Sequence, residues 1–243
     1  MPASVDERIA FINGLDVTID HASLVAADSA IVACGSALCF VSGMDSLRKW
    51  DVINSTLLAQ LASNKKFPGR PLDKMKEWHE SYGNILAQLG WSMRSFDMTE
   101  MMDVNSYGSM DALLLQDSSS YLAGHEYDLF KTTINALKKP ENRRALQLLD
   151  AQSSYFNDAG LQVGVASYIP EPGGDALLKI GSYQYNSTDD ISSAMFFNFG
   201  SSEVQLFADN QVMVLDNDIY EKVRDAVRDK LGIQIVLTRD IVL

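Results

Sequence analysis

The stretch SSAMFFNFGSSEVQLFADNQVMVLD, Ser192 to Asp216, constrains the fold most strongly, because it reads as two strands that are apolar on both faces. Neighbouring Met195 and Phe196 face opposite sides, and so do Val212 and Met213. A strand packed on one core and exposed to water on its other face alternates apolar with polar residues. Here a second layer must therefore cover the second face.

The last third of the chain predicts an antiparallel meander. The strand-like runs GLQVGVASYI, DALLKIGSYQY, AMFFNF and VQLFADNQVMVL are joined by the turn-forming clusters PEPGG, NSTDD and GSS. A helix is predicted from Asp218 to Leu231, with Asp218 and Glu221 as a capping box and Gly232 at its end. The closing run IQIVLTRDIVL predicts another strand, which as a long edge with few charges would favour pairing with a second chain.

The first half is predicted to be rich in helices. Apolar spacing and breaker residues give helices at Val5–Leu15, Asp45–Lys65, Asp73–Leu89 and Met110–Ala151, the last broken near Gly124 and at Pro140. Asp73 is the predicted cap of the third helix. The run Ser29–Gly43 fits either a buried strand pair or a helix, and WSMRSFDMTEM, which begins at Trp91, alternates as a strand does.

Helices before and after the meander can lie on opposite faces of its sheet. The predicted fold is therefore α+β, a three-layer α/β/α arrangement with a mostly antiparallel sheet and helices on both faces. No interdomain linker is evident, so residues 1–243 are predicted to form a single domain. It comprises a helix-rich part, 1–155, followed by the meander, a helix and the final strand, 156–243.

The net charge of −12 argues against a nucleic-acid partner, because phosphate backbones are bound through Lys and Arg. The same charge disfavours an anionic membrane surface, whereas insertion driven by apolar area stays open. The beginning of the chain lacks the pattern of a secretion signal. The protein is therefore predicted to be cytoplasmic at synthesis, with release by a route other than a classical signal peptide left open.

The two cysteines, Cys34 and Cys39, lie in the apolar run SAIVACGSALCF. Along one strand they are too far apart for a disulfide, and on a helix they face different sides. Nothing basic is near them in sequence, so buried packing is predicted in preference to a reactive thiol. The longest apolar segment, Ala30–Val41, is too short to span a bilayer.

No catalytic, cofactor or metal motif is recognisable. His21, His79 and His125 are not spaced as metal ligands, and no nucleophile elbow or phosphate loop occurs. His79 is predicted to be a half-buried structural residue, with a role as general base the alternative. His125, beside Glu126 and Asp128, is predicted to lie at a solvated helix start. No catalytic residue, cofactor or metal site is therefore assigned, and the chain is predicted not to be an enzyme.

Other polar candidates have structural interpretations too. The carboxylate pair Asp189–Asp190 falls in a turn and the pair Asp216–Asp218 at a helix start, where acids complement the helix dipole. Tyr183 and Tyr185 share one strand face and are predicted to pack in the core, with the lining of a pocket or contact surface as the alternative.

The segment FNDAGLQVGVASYIPEPGGDALLKIGSYQY, the run AMFFNFGSSEVQLFADNQVMVL and the helix DIYEKVRDAV resemble the Cyt-type cytolysins in strand lengths and turn positions. These are bacterial toxins with helix hairpins around an antiparallel sheet. The resemblance covers about the last third of the chain and includes no diagnostic motif, so no residue role carries over. It implies a soluble protein that binds lipid, moves its outer helices away and assembles into a membrane lesion.

Three functions follow from these observations. The first is a non-catalytic, membrane-active protein of toxin or virulence type, whose partners are a lipid membrane or its own subunits in a homo-oligomer. The alternative is a self-assembling structural or partner-binding protein. An enzyme of unrecognised type is the third.

Overall fold

The computed structural model describes residues 3–16, 28–155, 157–169, 174–200, 202–232 and 237–243, so His21 and the run 233–236 lie outside the described residues. The described helices are α1 Val5–Gly14, α2 Ser46–Lys66, α3 Met75–Gln88, α4 Met110–Ser118, α5 His125–Leu137, α6 Arg143–Ser153 and α7 Asn217–Leu231. The described strands are β1 Ser29–Ala33, β2 Ser36–Phe40, β3 Trp91–Ser92, β4 Thr99–Glu100, β5 Ser154–Tyr155, β6 Asp158–Tyr168, β7 Ala176–Ser187, β8 Val204–Leu215 and β9 Thr238–Ile241.

The described strands form one sheet in the order β3-β8-β7-β6-β2-β1-β9, with β4 added to β8 and β5 to β6. The pairing of β2 with β6 is parallel, and the other ladders are antiparallel. The run Ser29–Gly43, left open between strands and a helix, forms the β1–β2 hairpin. The prediction of a mostly antiparallel sheet in an α+β fold is confirmed.

Each face of the sheet is packed against its own apolar core. On β7, Tyr183 faces one core with Phe130 of α5, whereas Ile180 faces the other with Trp78 of α3. Helices α4, α5 and α6 cover the first face, and α1, α2, α3 and α7 cover the second. The three-layer prediction is therefore confirmed, and the helices supply the second apolar layer that the strands require.

The segment Ala194–Phe199 is not the strand that its alternation predicted. A single bridge, Asn198 to Ser109, is its β pairing among the described residues. Other contacts bond its amides instead: Ala194 N donates to the Asp150 carboxylate at 3.0 Å, and Phe199 N donates to the Gly108 carbonyl at 3.1 Å. Met195 and Phe196 both pack against the first core, so the prediction that they face opposite sides is wrong, as is the predicted strand pairing.

The predicted strand beginning at Trp91 is also only partly formed. β3 and β4 pair with β8, but residues 93–98 between them leave the sheet. The cause is Asp209 on β8, whose carboxylate binds the Arg94 guanidinium and accepts a hydrogen bond from Asp97 N at 3.1 Å. These side-chain bonds replace the ladder and form a loop above the sheet edge.

Two predicted helix caps were wrong in position. The Asp73 side chain does not cap α3, because a 3-10 turn, Leu72–Lys74, starts after Pro71 and leads into that helix. The start of α7 is capped by Asp216 rather than Asp218, with the Asp216 carboxylate accepting a bond from Ile219 N at 2.9 Å.

The structure qualifies the sequence predictions for the final strand and for one end of β8. The predicted long final strand is described over four residues only, β9, which pairs with β1. On β8, Val212 is 55% exposed although Met213 beside it is buried, so the first helical layer does not reach that end of the strand.

We expect Gly164→Ala to destabilise the protein by about 1–3 kcal/mol, the usual cost of overpacking. A Cβ at this position of β6 would lie 2.8 Å from the Lys179 carbonyl oxygen, which the sheet holds in place. Gly14→Ala is the control, since a Cβ there meets nothing within 4 Å. Urea unfolding of both variants measures the difference, and equal midpoints would contradict the prediction.

Candidate functional site

One contiguous segment supplies the helical layer on the first face of the sheet. We call residues 104–153 the helical cover; it comprises the 3-10 turns Val104–Tyr107 and Pro140–Asn142 and helices α4, α5 and α6. Before the cover, Asp103 has φ 55° and Gly108 inside it has φ 78°; after it, α6 runs directly into β5. The opposite layer is assembled from separate parts of the chain, so the helical cover differs in being a single piece.

The inner side of the helical cover is apolar. Leu113 and Leu114 of α4, Phe130 and Ile134 of α5 and Leu149 of α6 are at most 1% exposed. They face apolar side chains of β2 and β6 in the same core. Burial of such side chains is therefore the main attraction between cover and sheet.

A small number of polar contacts fix the position of the helical cover. Asp117 on α4 accepts hydrogen bonds from the Tyr183 hydroxyl at 2.6 Å and from Asn210 Nδ2 at 2.9 Å. Lys179 Nζ on β7 lies 2.6 Å from Glu126 Oε2 on α5. These bonds cross from the cover to the sheet and set which part of the cover faces which strand.

Further contacts fix the third helix of the cover and the turn before it. Asp150 on α6 accepts bonds from Ser193 Oγ and Ala194 N, and burial raises the pKa of its carboxyl. Asn142 bonds both backbone groups of Val242 after β9, at 2.9 and 2.8 Å. The cover is thus tied to the connection before β8 and to the end of the chain.

Cys39 joins the sheet to the middle of the helical cover. Its thiol on β2 donates to the Thr133 hydroxyl oxygen on α5 at 3.2 Å, and both residues are buried. Burial raises the pKa of the Cys39 thiol to about 12, so it is not a thiolate at neutral pH. Cys39 therefore bonds the sheet to the helical cover. Replacing its partner Thr133 with cysteine would place a second thiol beside it.

Cys34 has a basic neighbour that the sequence did not reveal. Arg70, distant in sequence, acts electrostatically on the Cys34 thiol, but burial is the larger effect and raises its pKa. Both residues are buried and both have positive φ, 54° for Cys34 and 46° for Arg70. Because a fully buried thiol stays protonated, Cys34 lacks the exposed electropositive setting of a reactive cysteine.

Arg70 is the centre of a buried polar cluster on the second face of the sheet. Its Nε donates to Asn64 Oδ1 at 2.9 Å, its Nη1 to the Gly160 carbonyl at 2.6 Å, and its guanidinium stacks 4.3 Å from the Trp78 ring centre. No carboxylate pairs with it in the described part of the chain, and burial lowers its pKa to about 10. The cluster ties the loop before α3 to α2 and β6.

Amides and hydroxyls continue this cluster across the sheet. Gln60 on α2 donates to Gln162 Oε1 on β6 at 2.8 Å, and Gln162 Nε2 donates to Ser182 Oγ on β7 at 3.2 Å. Ser36 on β2 donates to the same Gln162 oxygen at 3.2 Å. Hydrogen-bonded buried groups of this kind specify strand register, and nothing in the cluster forms a nucleophile–base pair.

His79 lies on α3 beside a crevice in the described part of the structure. The ring is almost buried, at 5% exposure, against Trp78 and Phe96, with centroid distances of 4.8 and 5.3 Å. Its Nδ1 lies 2.9 Å from the Met75 carbonyl oxygen. A carbonyl only accepts, so Nδ1 carries the proton of the neutral ring and Nε2 keeps its lone pair.

The crevice of about 740 Å³ lies between α3 and the loop 93–98. One wall is the α3 face with Met75, His79 and Gly83; the other carries Met93 and Met98. Asp209 holds this second wall in place through Arg94, as described above. Asn84 and Ala87 extend the α3 wall, and Phe96 reaches across towards it.

The remaining sequence candidates do not converge on this crevice. His125 is exposed, with Nε2 3.1 Å from Asp28 Oδ2. Asp189 accepts a bond from the Ser202 hydroxyl in its turn, and the adjoining Asp190 is exposed. Asp216 caps α7, while Tyr183 and Tyr185 are buried in the first core with the Tyr185 hydroxyl donating to the Ala194 carbonyl at 2.9 Å.

Within the described ranges, no group of three or more His, Cys, Asp or Glu side chains is arranged to hold a metal ion. Among the same residues, no helix combines the length and apolarity needed to cross a bilayer.

Solved structures similar to this chain include the following two. One is entitled "Structure of the Evf virulence factor"; it is 15% identical over 95% of this chain and 91% of that chain, with a TM-score of 0.36. The other is a delta-endotoxin, 9% identical over 83% of this chain and 86% of that chain, with a TM-score of 0.38. No family model and no curated protein sequence matches. At these TM-scores the similarities carry no argument about the activity of this chain.

We expect His79 to make stability depend on pH between about 4 and 6.5. Burial lowers its pKa from 6.5 to about 4, so the unfolded chain binds a proton in this range that the folded chain does not. Stability attributable to the neutral ring is complete above pH 6.5 and falls as the pH drops towards 4.

The test compares urea unfolding of the wild-type protein and His79→Phe at pH 7 and pH 4.5. The wild type is expected to lose about 2 kcal/mol more than the variant between the two values, from the linkage of a shift of this size. An equal loss would show that the ring is not buried in its neutral form.

Proposed function

We propose that this chain is a non-catalytic, membrane-active protein of toxin or virulence type, in which contact with lipid separates the helical cover from the sheet. The supporting observation is that one contiguous segment, residues 104–153, supplies the helices on one apolar face of a sheet whose other face is covered by separate helices. Such a segment can leave as one piece while the remaining two layers stay packed.

Replacing the helical cover with lipid acyl chains keeps the apolar face of the sheet out of water. Buried apolar side chains contribute roughly 1.5–3 kcal/mol each by leaving water, so exposing this face to water would be prohibitive. Acyl chains are as apolar as the helices that they replace, so the exchange retains most of this contribution. What must be broken is the polar set described above, which includes the Asp117 and Glu126 bonds to β7.

The positions of positive φ suit movement at the start of the helical cover. Asp103 and Gly108 flank the 3-10 turn there, and Gly124 between α4 and α5 has φ 53°. Turns with few buried contacts are where chains open at least cost. The exposed sheet face of one copy is then available to another, and we propose that copies assemble on the membrane.

The proposed lipid surface is zwitterionic. A net charge of −12 is repelled by anionic headgroups, so apolar contact has to drive binding. The wild-type protein is expected to release dye from phosphatidylcholine vesicles and to release it more slowly when phosphatidylserine is added.

A covalent lock between sheet and helical cover tests the opening step. Thr133→Cys places a second thiol beside native Cys39, at a position where sulfur and hydroxyl oxygen are now 3.2 Å apart. Oxidation then joins β2 to α5. Dye release is expected to stop in the oxidised variant and to return when dithiothreitol is added to the same sample.

Thr133→Ser is the matched control, because it keeps the hydroxyl and forms no disulfide; it is expected to release dye with or without reductant. Full release by the oxidised variant would show that the helical cover stays on the sheet. Absence of release by the wild type from every vesicle composition would overturn the membrane function itself.

A further inference from the structure

We propose that the crevice between α3 and the loop 93–98 binds an uncharged, largely apolar molecule through a single hydroxyl group that donates to His79 Nε2. The crevice lies on the sheet face opposite the helical cover. Binding there is a property of the protein in solution and does not require the proposed membrane function.

His79 supplies a fixed polar contact. The Met75 carbonyl holds the proton on Nδ1, so Nε2 is an acceptor, and no described residue bonds to it. The ring is clamped between Trp78 and Phe96, so the acceptor is held in one orientation. A rigid, partnerless acceptor at the border of a crevice is suited to a hydroxyl or amine N–H and not to a second acceptor.

The walls are suited to an apolar body of adaptable shape. Met75 projects from α3, and Met93 and Met98 from the facing loop, each half-buried. Methionine is unbranched and polarisable, and it is common on surfaces that accept ligands of varying outline. A volume of about 740 Å³ is within the usual range for small-molecule sites.

Gly83 is an independent indication that this space is kept open. It lies inside α3, where glycine is less favourable than alanine. Packing does not require it, because a Cβ there would be 3.5 Å from the Phe96 ring, an ordinary contact. A side chain longer than that of alanine would have to displace Phe96 or project into the crevice that both residues line.

The crevice offers no strong field to a charged ligand. Lys76 and Arg94 are opposed by Glu80 and Asp97 among the lining residues, and Arg94 is paired with Asp209. These five groups leave one negative charge, which disfavours an anion, and both lining carboxylates are exposed to water, which weakens their attraction for a cation.

The experiment uses 1-decanol and decyl methyl ether, which share an apolar chain but differ in the hydroxyl donor. Methyl NMR signals of the methionines report binding in the wild-type protein. Met75, Met93 and Met98 are expected to shift, while the buried Met195 and Met213 serve as internal references. The alcohol is expected to bind about tenfold more tightly than the ether, the value of one hydrogen bond.

Two variants separate the hydrogen bond from the cavity. His79→Phe is expected to reduce the affinity for the alcohol to that for the ether, and Gly83→Leu to abolish binding of both by filling the crevice. Gly83→Ala is the control on the same helix and should retain the preference for the alcohol.

Several results would overturn the proposal. Equal affinities for alcohol and ether in the wild type would remove the role of His79. Tighter binding of decanoate or decylammonium than of decanol would show that the ligand is charged. Shifts confined to methionines outside the crevice would place binding elsewhere.

Discussion

The sheet is apolar on both faces, and every larger feature of the molecule depends on that constraint. Tyr183 and Ile180, three residues apart on β7, belong to different cores. Neither face can be left to water, so the chain supplies two helical layers. The two layers are built differently: one is the contiguous helical cover, and the other is assembled from three separate parts of the chain around α2 and α3. This asymmetry underlies the proposed function.

Hydrogen bonds between buried polar groups fix the relative positions of these apolar layers. Apolar packing alone tolerates sliding, whereas directional bonds do not. Gln162 links β2, α2 and β7, and Asp117 links α4 to β7 and β8. On the outer side, the buried Asp51 carboxylate binds Arg224 in two bonds of 2.9 Å and so joins α2 to α7. The second layer is thereby tied to itself by a charged pair, while the helical cover is tied to the sheet.

Apolar periodicity predicted the layers and most helices, because helix α2 and strands β6, β7 and β8 carry long regular patterns. It could not predict the path of Ala194–Phe199, since the same alternation suits a strand or a loop buried under helices. The strand predicted across residues 93–98 is absent for a similar reason. Asp209, more than a hundred residues later, supplies a carboxylate that accepts the Asp97 N–H in place of a strand partner.

The buried Arg70 cluster and the crevice beside His79 were harder to predict than the fold. Arg70 and Cys34 meet only after α2 and the loop behind it have folded back, so no local pattern marks their contact. Gly83 inside an otherwise regular α3 was the available local signal for the crevice, since a glycine there weakens a helix without any turn to justify it. His79 was predicted to be half-buried and is buried, and its tautomer depends on a carbonyl of its own helix.

The parallel pairing of β2 with β6 has a consequence for how the protein is made. The β1–β2 hairpin is complete by Phe40, yet its partners are β6 from Asp158 and β9 from Thr238. A ribosome delivers those partners long after the hairpin, so the nascent chain carries an unpaired and largely apolar hairpin until β6 has been made. Contacts between residues so far apart in sequence slow folding. They also leave apolar strand edges exposed, where chaperones or neighbouring chains can bind.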